Sequence, residues 1–164
     1  MKHKFEPITT FVLDIDGVLT DGSVLVTEQG EELRSMHTKD GLAISMAAKA
    51  GYTVLVLSGA RSEGCRTRLL RLGAKEVLLG FDEKLEALQT VLKKYDIDPK
   101  NTLYMGDDLP DIPCMAFVGM SACPHDAVPE VIAVAQYVCA KHGGKACVRE
   151  VIEQVMRLQN KWNV

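Results

Sequence analysis

Thr9-Thr-Phe-Val-Leu-Asp-Ile-Asp-Gly-Val-Leu-Thr-Asp-Gly22 is an apolar run that ends in carboxylates. Short and rich in Phe, Val and Leu, it reads as a strand buried on both faces of a parallel sheet. Asp14 closes that strand. Side chains two residues apart on an extended backbone share a face, and a buried carboxylate is costly unless it is paired or bound to a metal. Asp14 and Asp16 are therefore expected to converge on one site, with Gly17 allowing a sharp turn and a close approach of the backbone to a ligand.

Outward from this stretch, two short extended runs, Ser23 to Thr27 and Glu32 to His37, flank the glycine-containing turn at 28–31 and predict a β-hairpin inserted over about 18–37. An isolated hairpin is marginal in water and needs a surface to pack on, which makes a flap or an oligomer contact the expectation. Helices are predicted over Asp40 to Ala50, Glu63 to Leu72 and Glu83 to Tyr95, and strands over Thr53 to Leu57, Glu76 to Leu79 and Thr102 to Met105. Short strands near Met120 to Ala122 and Tyr137 to Cys139, a helix from about Val128 between them, and a last helix from about Lys145 to Leu158 extend the series. Strands alternating with helices imply an α/β fold with a doubly wound, mostly parallel sheet and right-handed crossovers. One domain spanning 1–164 is expected from the length.

Ligands of such sheets bind beyond the carboxyl ends of the strands. That edge receives Asp14 and Asp16, then Ser58 at the end of the second strand and Asp107 after the fourth, with Lys84 at a neighbouring helix start, while Asp108 can serve as a helix N-cap. Adjacent carboxylates repel, and a hard divalent cation relieves the repulsion. Oxygen-only ligands with room for water and substrate point to magnesium, and magnesium with a lysine and a hydroxyl suits a phosphoryl group. Asp14 is then the natural nucleophile, through an aspartyl phosphate, and Asp16 the acid that protonates the leaving alkoxide and the base that activates water.

Hydrophobic residues at 47%, charged residues at 25% and a formal charge of −3 are those of a globular chain with no general attraction for nucleic acid. No apolar segment is long enough for a signal peptide or a membrane span, so a cytoplasmic protein without membrane contact is expected. The five cysteines form an odd set without a CxxC pair and read as reduced, mostly buried thiols. Cys139, His142 and Cys147 lack the full tetrahedral set that zinc requires.

Asp14-Ile15-Asp16-Gly17-Val18, Ser58-Gly59, Lys84 and Gly106-Asp107-Asp108 with Asp111 resemble, in order, the four motifs of the haloacid dehalogenase superfamily of phosphatases. The hairpin, Thr38-Lys39-Asp40-Gly41, the lack of a separate cap domain, and His142-Gly143-Gly144-Lys145 before Val148-Arg149-Glu150 are similar to the 3-deoxy-D-manno-octulosonate 8-phosphate (KDO 8-phosphate) phosphatases within it. The resemblance implies Asp14 as nucleophile and magnesium ligand, Asp16 as acid/base and ligand through its backbone carbonyl, and Asp107 as the third protein ligand. It further implies Ser58 and Lys84 on the phosphoryl group, Asp108 and Asp111 as their support, and Gly59, Thr38 to Gly41 and Arg68 at the substrate end. A homotetramer with packed hairpins, in which a neighbour closes each site, belongs to the same implication. Ala60 stands where many relatives have a charged residue and Ser45 where some have an arginine, which leaves a nine-carbon 9-phosphorylated ulosonic acid open beside KDO 8-phosphate. Two rivals differ in kind. A signalling receiver domain would place its acidic, hydroxyl and lysine residues in another order, and a non-catalytic tetramerising scaffold would not need the complete set.

Overall fold

A computed structural model describes residues 2–162; residue 1 and residues 163–164 of the expected domain lie outside it. The chain opens with a short helix, α1 (Lys2–Phe5), and enters β1 (Thr10–Leu13). The two-stranded hairpin follows as β2 (Leu25–Val26) and β3 (Glu32–Leu33), then α2 (Thr38–Lys49), β4 (Thr53–Ser58), α3 (Glu63–Arg71) and β5 (Glu76–Leu79). Then come α4 (Lys84–Lys94), β6 (Thr102–Met105), α5 (Ile112–Phe117), β7 (Met120–Cys123), α6 (Pro129–Val134), β8 (Tyr137–Val138) and α7 (Cys147–Leu158). Six strands form one parallel sheet in the order β5-β4-β1-β6-β7-β8, the doubly wound arrangement expected from the sequence.

β1 lies at the centre, with Leu13 level with Val56 on one side and Met105 on the other. Its alternate residues feed two cores. Phe11 and Leu13 pack with Val54, Val56, Leu103 and Met105 on the face covered by α2 and α7. Val12 packs with Leu55, Leu57 and Tyr104 on the face covered by α4 and α5. Burial on both faces is why these strands are almost continuously apolar instead of alternating. After β1 the chain winds out to β4 and β5 and then returns to β6 on β1's other side, so the rim beyond β1 is the switch point of the topology.

Three local expectations need correction. The hairpin strands are two residues each, far shorter than Ser23–Thr27 and Glu32–His37, with Leu25 opposite Leu33 and Val26 opposite Glu32. The apolar residues there are genuine strand residues, but they stay largely exposed. α2 begins at Thr38 instead of Asp40, because the His37 side chain accepts the Lys39 amide and caps the helix. Thr38-Lys39-Asp40-Gly41 is thus the first turn of α2. α1 and α5 add two helices to those expected; both are too short to show a period. All five cysteines are buried.

Adjacent residues of α3 test this packing. Leu69 is fully buried whereas Leu70 is largely exposed. Leu69→Ala is expected to cost about 2–5 kcal/mol and Leu70→Ala less than about 0.5 kcal/mol in a denaturant titration. Equal costs would show that α3 packs by another face.

Candidate active site

The parallel register puts Asp14, one residue past β1, beside Asp107, two residues past β6, and Ser58, the last residue of β4. Asp14 is nearly inaccessible; its Oδ1 accepts from the Ile15 amide at 2.6 Å and its Oδ2 from Lys84 Nζ at 2.6 Å. Lys84 Nζ also donates to Asp111 Oδ1 at 2.7 Å. Burial by itself would depress the Lys84 ammonium, but Asp14 and Asp111 more than offset it and hold it above the ordinary lysine range. Lys84 is the first residue of α4, whose preceding Glu83 makes no side-chain cap.

Asp111 is fully buried and saturated with donors. Besides Lys84 it accepts from Tyr104 Oη at 2.7 Å and from the amides of Asp107 at 2.9 Å and Asp108 at 3.2 Å. Asp108 is exposed and accepts the Leu109 amide at 2.7 Å, within a reciprocal cap with Asp111. Tyr104 is a site-shaping residue that sequence reasoning missed. A tyrosine inside an otherwise apolar strand was the available signal, because a buried phenol needs a partner.

Asp107 lies against the turn after β1. A Cβ on Gly17 would fall 1.9 Å from Asp107 Oδ2, and Gly17 has φ +81°, so only glycine fits there. Burial first, and then the carboxylates of Asp14, Asp111 and Asp108, push Asp107 up to about 8. Burial and then Asp111 push Asp14 up to about 6, against the pull of Lys84.

One oxygen each from Asp14, Asp107 and Asp111 lie within 4.8 Å of one another. This donor set fits a hard divalent cation: it is all oxygen and crowded, and Asp14 and Asp107 hold protons to higher pH than ordinary aspartates. Because Asp111 is already saturated, Asp14 and Asp107 are the carboxylates with capacity to spare. A cavity of about 360 Å³ opens on them, lined also by Asp16, Ser58, Gly59 and Lys84. Ser58 is buried, and its Oγ accepts the Ala60 amide at 3.3 Å. The phosphoryl-binding groups expected from the sequence therefore share one cavity with the carboxylates.

The residues expected at the substrate end are dispersed within the single chain. Thr38 and Arg68 line an adjoining groove of about 870 Å³ together with Arg34 and Arg61. Lys39 lines a different cavity of about 540 Å³ beside α7. Asp40 is buried and accepts the Arg149 amide at 2.7 Å, so it ties α2 to the first turn of α7. Gly41 lies under Arg68, whose Nη2 would be 3.0 Å from an added Cβ. A second missed residue is Arg34, which donates to both Asp16 oxygens from the base of the hairpin.

A parallel sheet with an aspartate-rich rim and a lysine in the same cavity defines the haloacid dehalogenase-like hydrolases, and the family profile of that description matches residues 72–152. The KDO 8-phosphate phosphatase of Haemophilus influenzae is 38% identical over 164 residues, covering all of this chain and 91% of the relative. The chain belongs to the 3-deoxy-D-manno-octulosonate 8-phosphate phosphatase family and is a phosphatase. The crystal structure of the Yersinia pestis phosphatase superposes with a TM-score of 0.94 at 33% identity, covering 98% of this chain and 86% of the other. That of the Moraxella catarrhalis phosphatase, in complex with magnesium, phosphate and KDO, superposes with a TM-score of 0.93 at 31% identity, covering 97% and 91%.

The raised carboxyls have a stability consequence. Asp14 and Asp107 keep protons in the fold that an unfolded chain has already lost, so their contribution is present at low pH and lost as pH rises through about 6 and about 8. The melting temperature of the metal-free protein is expected to fall from about pH 5 to about pH 8, and the gain from a divalent cation to grow over the same range. A cation-induced gain that is equal at both ends, measured by thermal denaturation, would contradict this electrostatic picture.

Proposed function

We propose that this phosphatase hydrolyses KDO 8-phosphate to KDO and phosphate through a phosphorylated Asp14. The observation that carries the reading is the shared cavity of Asp14, Lys84, Ser58 and Asp107 at the switch point of the sheet, in a chain whose relatives over nearly full length are KDO 8-phosphate phosphatases. Magnesium would be held by Asp14, Asp107 and the backbone carbonyl of Asp16. When bound it supplies charge neutralisation for the phosphoryl oxygens and lets Asp14 react as a carboxylate.

The side chains then divide the work. Two of the roughly four lone-pair positions of the Asp14 carboxylate are taken, one by Ile15 and one by Lys84, which leaves capacity for attack on phosphorus. As the new P–O bond forms, the bond to the ester oxygen breaks and Asp16 gives that oxygen its proton. Asp16, now a carboxylate, takes a proton from water as the water attacks the acyl phosphate; phosphate leaves and Asp14 is regenerated. Lys84 and Ser58 hold the transferred group while Lys84 stays charged, and Asp111 fixes Lys84. Asp108 supports the turn. Thr38, Lys39, Asp40, Gly41, Gly59 and Arg68 belong to the substrate end in this reading, completed by a neighbouring subunit.

The chain acts as one domain over 1–164, in the cytoplasm, and as a homotetramer. Support for the assembly comes from Leu25, Val26 and Leu33, which are 67%, 63% and 50% exposed on the short hairpin. An apolar ribbon this bare gains most by covering itself with copies of itself.

A phosphate-release assay across sugar phosphates tests the substrate, with KDO 8-phosphate expected to exceed simple esters and nine-carbon 9-phosphorylated ulosonic acids; equal rates on all would contradict the assignment. Asp14→Asn is expected to lower turnover at least about 10³-fold with assembly intact, whereas a scaffold would lose nothing. Light scattering at working concentration should give four times the chain mass, and a monomeric mass would refute the tetramer.

A further inference from the structure

Arg34 reaches Asp16 from outside the sheet. It directly follows β3, 18 positions from Asp16, and its side chain is only 4% exposed. Nε donates to Asp16 Oδ1 at 2.7 Å and Nη2 to Oδ2 at 3.0 Å, a planar two-point fork. The guanidinium is itself anchored within the hairpin: Nη2 donates to Glu32 Oε2 at 3.1 Å and Nη1 to the Glu32 carbonyl at 3.4 Å. Asp16 has little else to orient it. Thr20 Oγ1 lies 3.5 Å from Oδ1, at the limit of a hydrogen bond, and the Asp16 side chain is 35% exposed beside the cavity.

An exposed ion pair would set no geometry of consequence, but a buried guanidinium gripping both carboxylate oxygens fixes the carboxyl plane as well as its place. Arg34 lines the groove that adjoins the phosphoryl cavity, and Asp16 lines the cavity itself. The pair stands on the border between the two, where an ester oxygen would link a phosphoryl group held in one to a leaving group held in the other.

We propose that Arg34 is a positioning residue for Asp16: the hairpin arginine holds the Asp16 carboxyl in the one orientation from which its proton reaches the ester oxygen. This rests on the assignment of Asp16 as the acid. In the transfer, one Asp16 oxygen loses its proton to the ester oxygen as the P–O bond breaks, while Arg34 keeps all its protons and its fork remains on both oxygens, each of which has a lone pair to accept with. Hairpin placement and acid placement are thereby coupled, so whatever packs on the hairpin also sets the alignment of Asp16.

Leaving-group dependence tests this in the native assembly. Each variant is assayed on an alkyl phosphate, whose leaving oxygen needs the proton, and on p-nitrophenyl phosphate, whose phenolate departs without one. Arg34→Ala is expected to lose at least about tenfold more kcat/KM, which reports only the steps through leaving-group departure and not the shared hydrolysis of the acyl phosphate, on the alkyl ester than on the aryl ester, and Arg34→Lys, with charge but no fork, to fall between it and the wild type. Asp16→Asn, measured alongside, should show the same selectivity more strongly. If Asp16→Asn is selective while Arg34→Ala slows both esters equally, or neither, the positioning role is overturned and the acid assignment stands. If Asp16→Asn itself is not selective, the acid assignment fails and this proposal with it.

Discussion

One ammonium among several buried carboxyls governs this molecule. Lys84 sits between Asp14 at 2.6 Å and Asp111 at 2.7 Å, with Asp107 a short distance away. A single positive charge cannot neutralise three acids, and an unmatched buried charge costs several kcal/mol. The rest of the rim follows from that imbalance. Asp111 is stabilised by four donors and gives its charge to Lys84, while Asp14 and Asp107 keep capacity for a cation. A lysine at a helix start is disfavoured by the helix dipole, and α4 tolerates one there because two carboxylates offset the cost. The fold therefore stores charge repulsion at the switch point, and a divalent cation relieves it.

The turn after β1 is braced from the far end of the chain. The Gly144 amide donates to the Val18 carbonyl at 3.0 Å, and the Gly143 amide donates to Asp126 Oδ1 at 2.8 Å. A Cβ on Gly143 would fall 1.9 Å from the Gly17 carbonyl oxygen. The loop before α7 thus presses backbone on backbone against the residues between Asp16 and Thr20, which is why two glycines occur together there. Asp40 adds to the brace by accepting the Arg149 amide. Positions remote in sequence keep Asp14 and Asp16 in register with Asp107.

What can be read from the chain divides along physical lines. β1, β4 and β6 are legible because burial on both faces writes continuous apolar runs, and the edge strand β5 by its Val-Leu-Leu run although only Val77 is fully buried. Asp14, Ser58 and Asp107 are legible because a charge or hydroxyl that ends such a run is costly to bury unless a site uses it. The hairpin reads longer than it is because Val24, Leu25 and Val26 look like strand residues whether or not a partner covers them. The start of α2 reads two residues late because histidine is an uncommon cap. Arg34 leaves no local trace: its bond to Asp16 spans a turn and a hairpin. Tyr104 leaves a weak one. Contacts between segments, and any made between subunits, are what sequence patterns carry least.

The account stands on Asp14 being both the reacting oxygen and a holder of the cation. The most direct measurement is a crystal structure grown with magnesium and beryllium fluoride, a mimic of a phosphoryl group on a carboxylate. The account predicts beryllium joined to an Asp14 oxygen, the ion on Asp14 and Asp107, and Lys84 and Ser58 against the fluorides. Beryllium fluoride bound to water alone, or an ion seated away from Asp14 and Asp107, would contradict it.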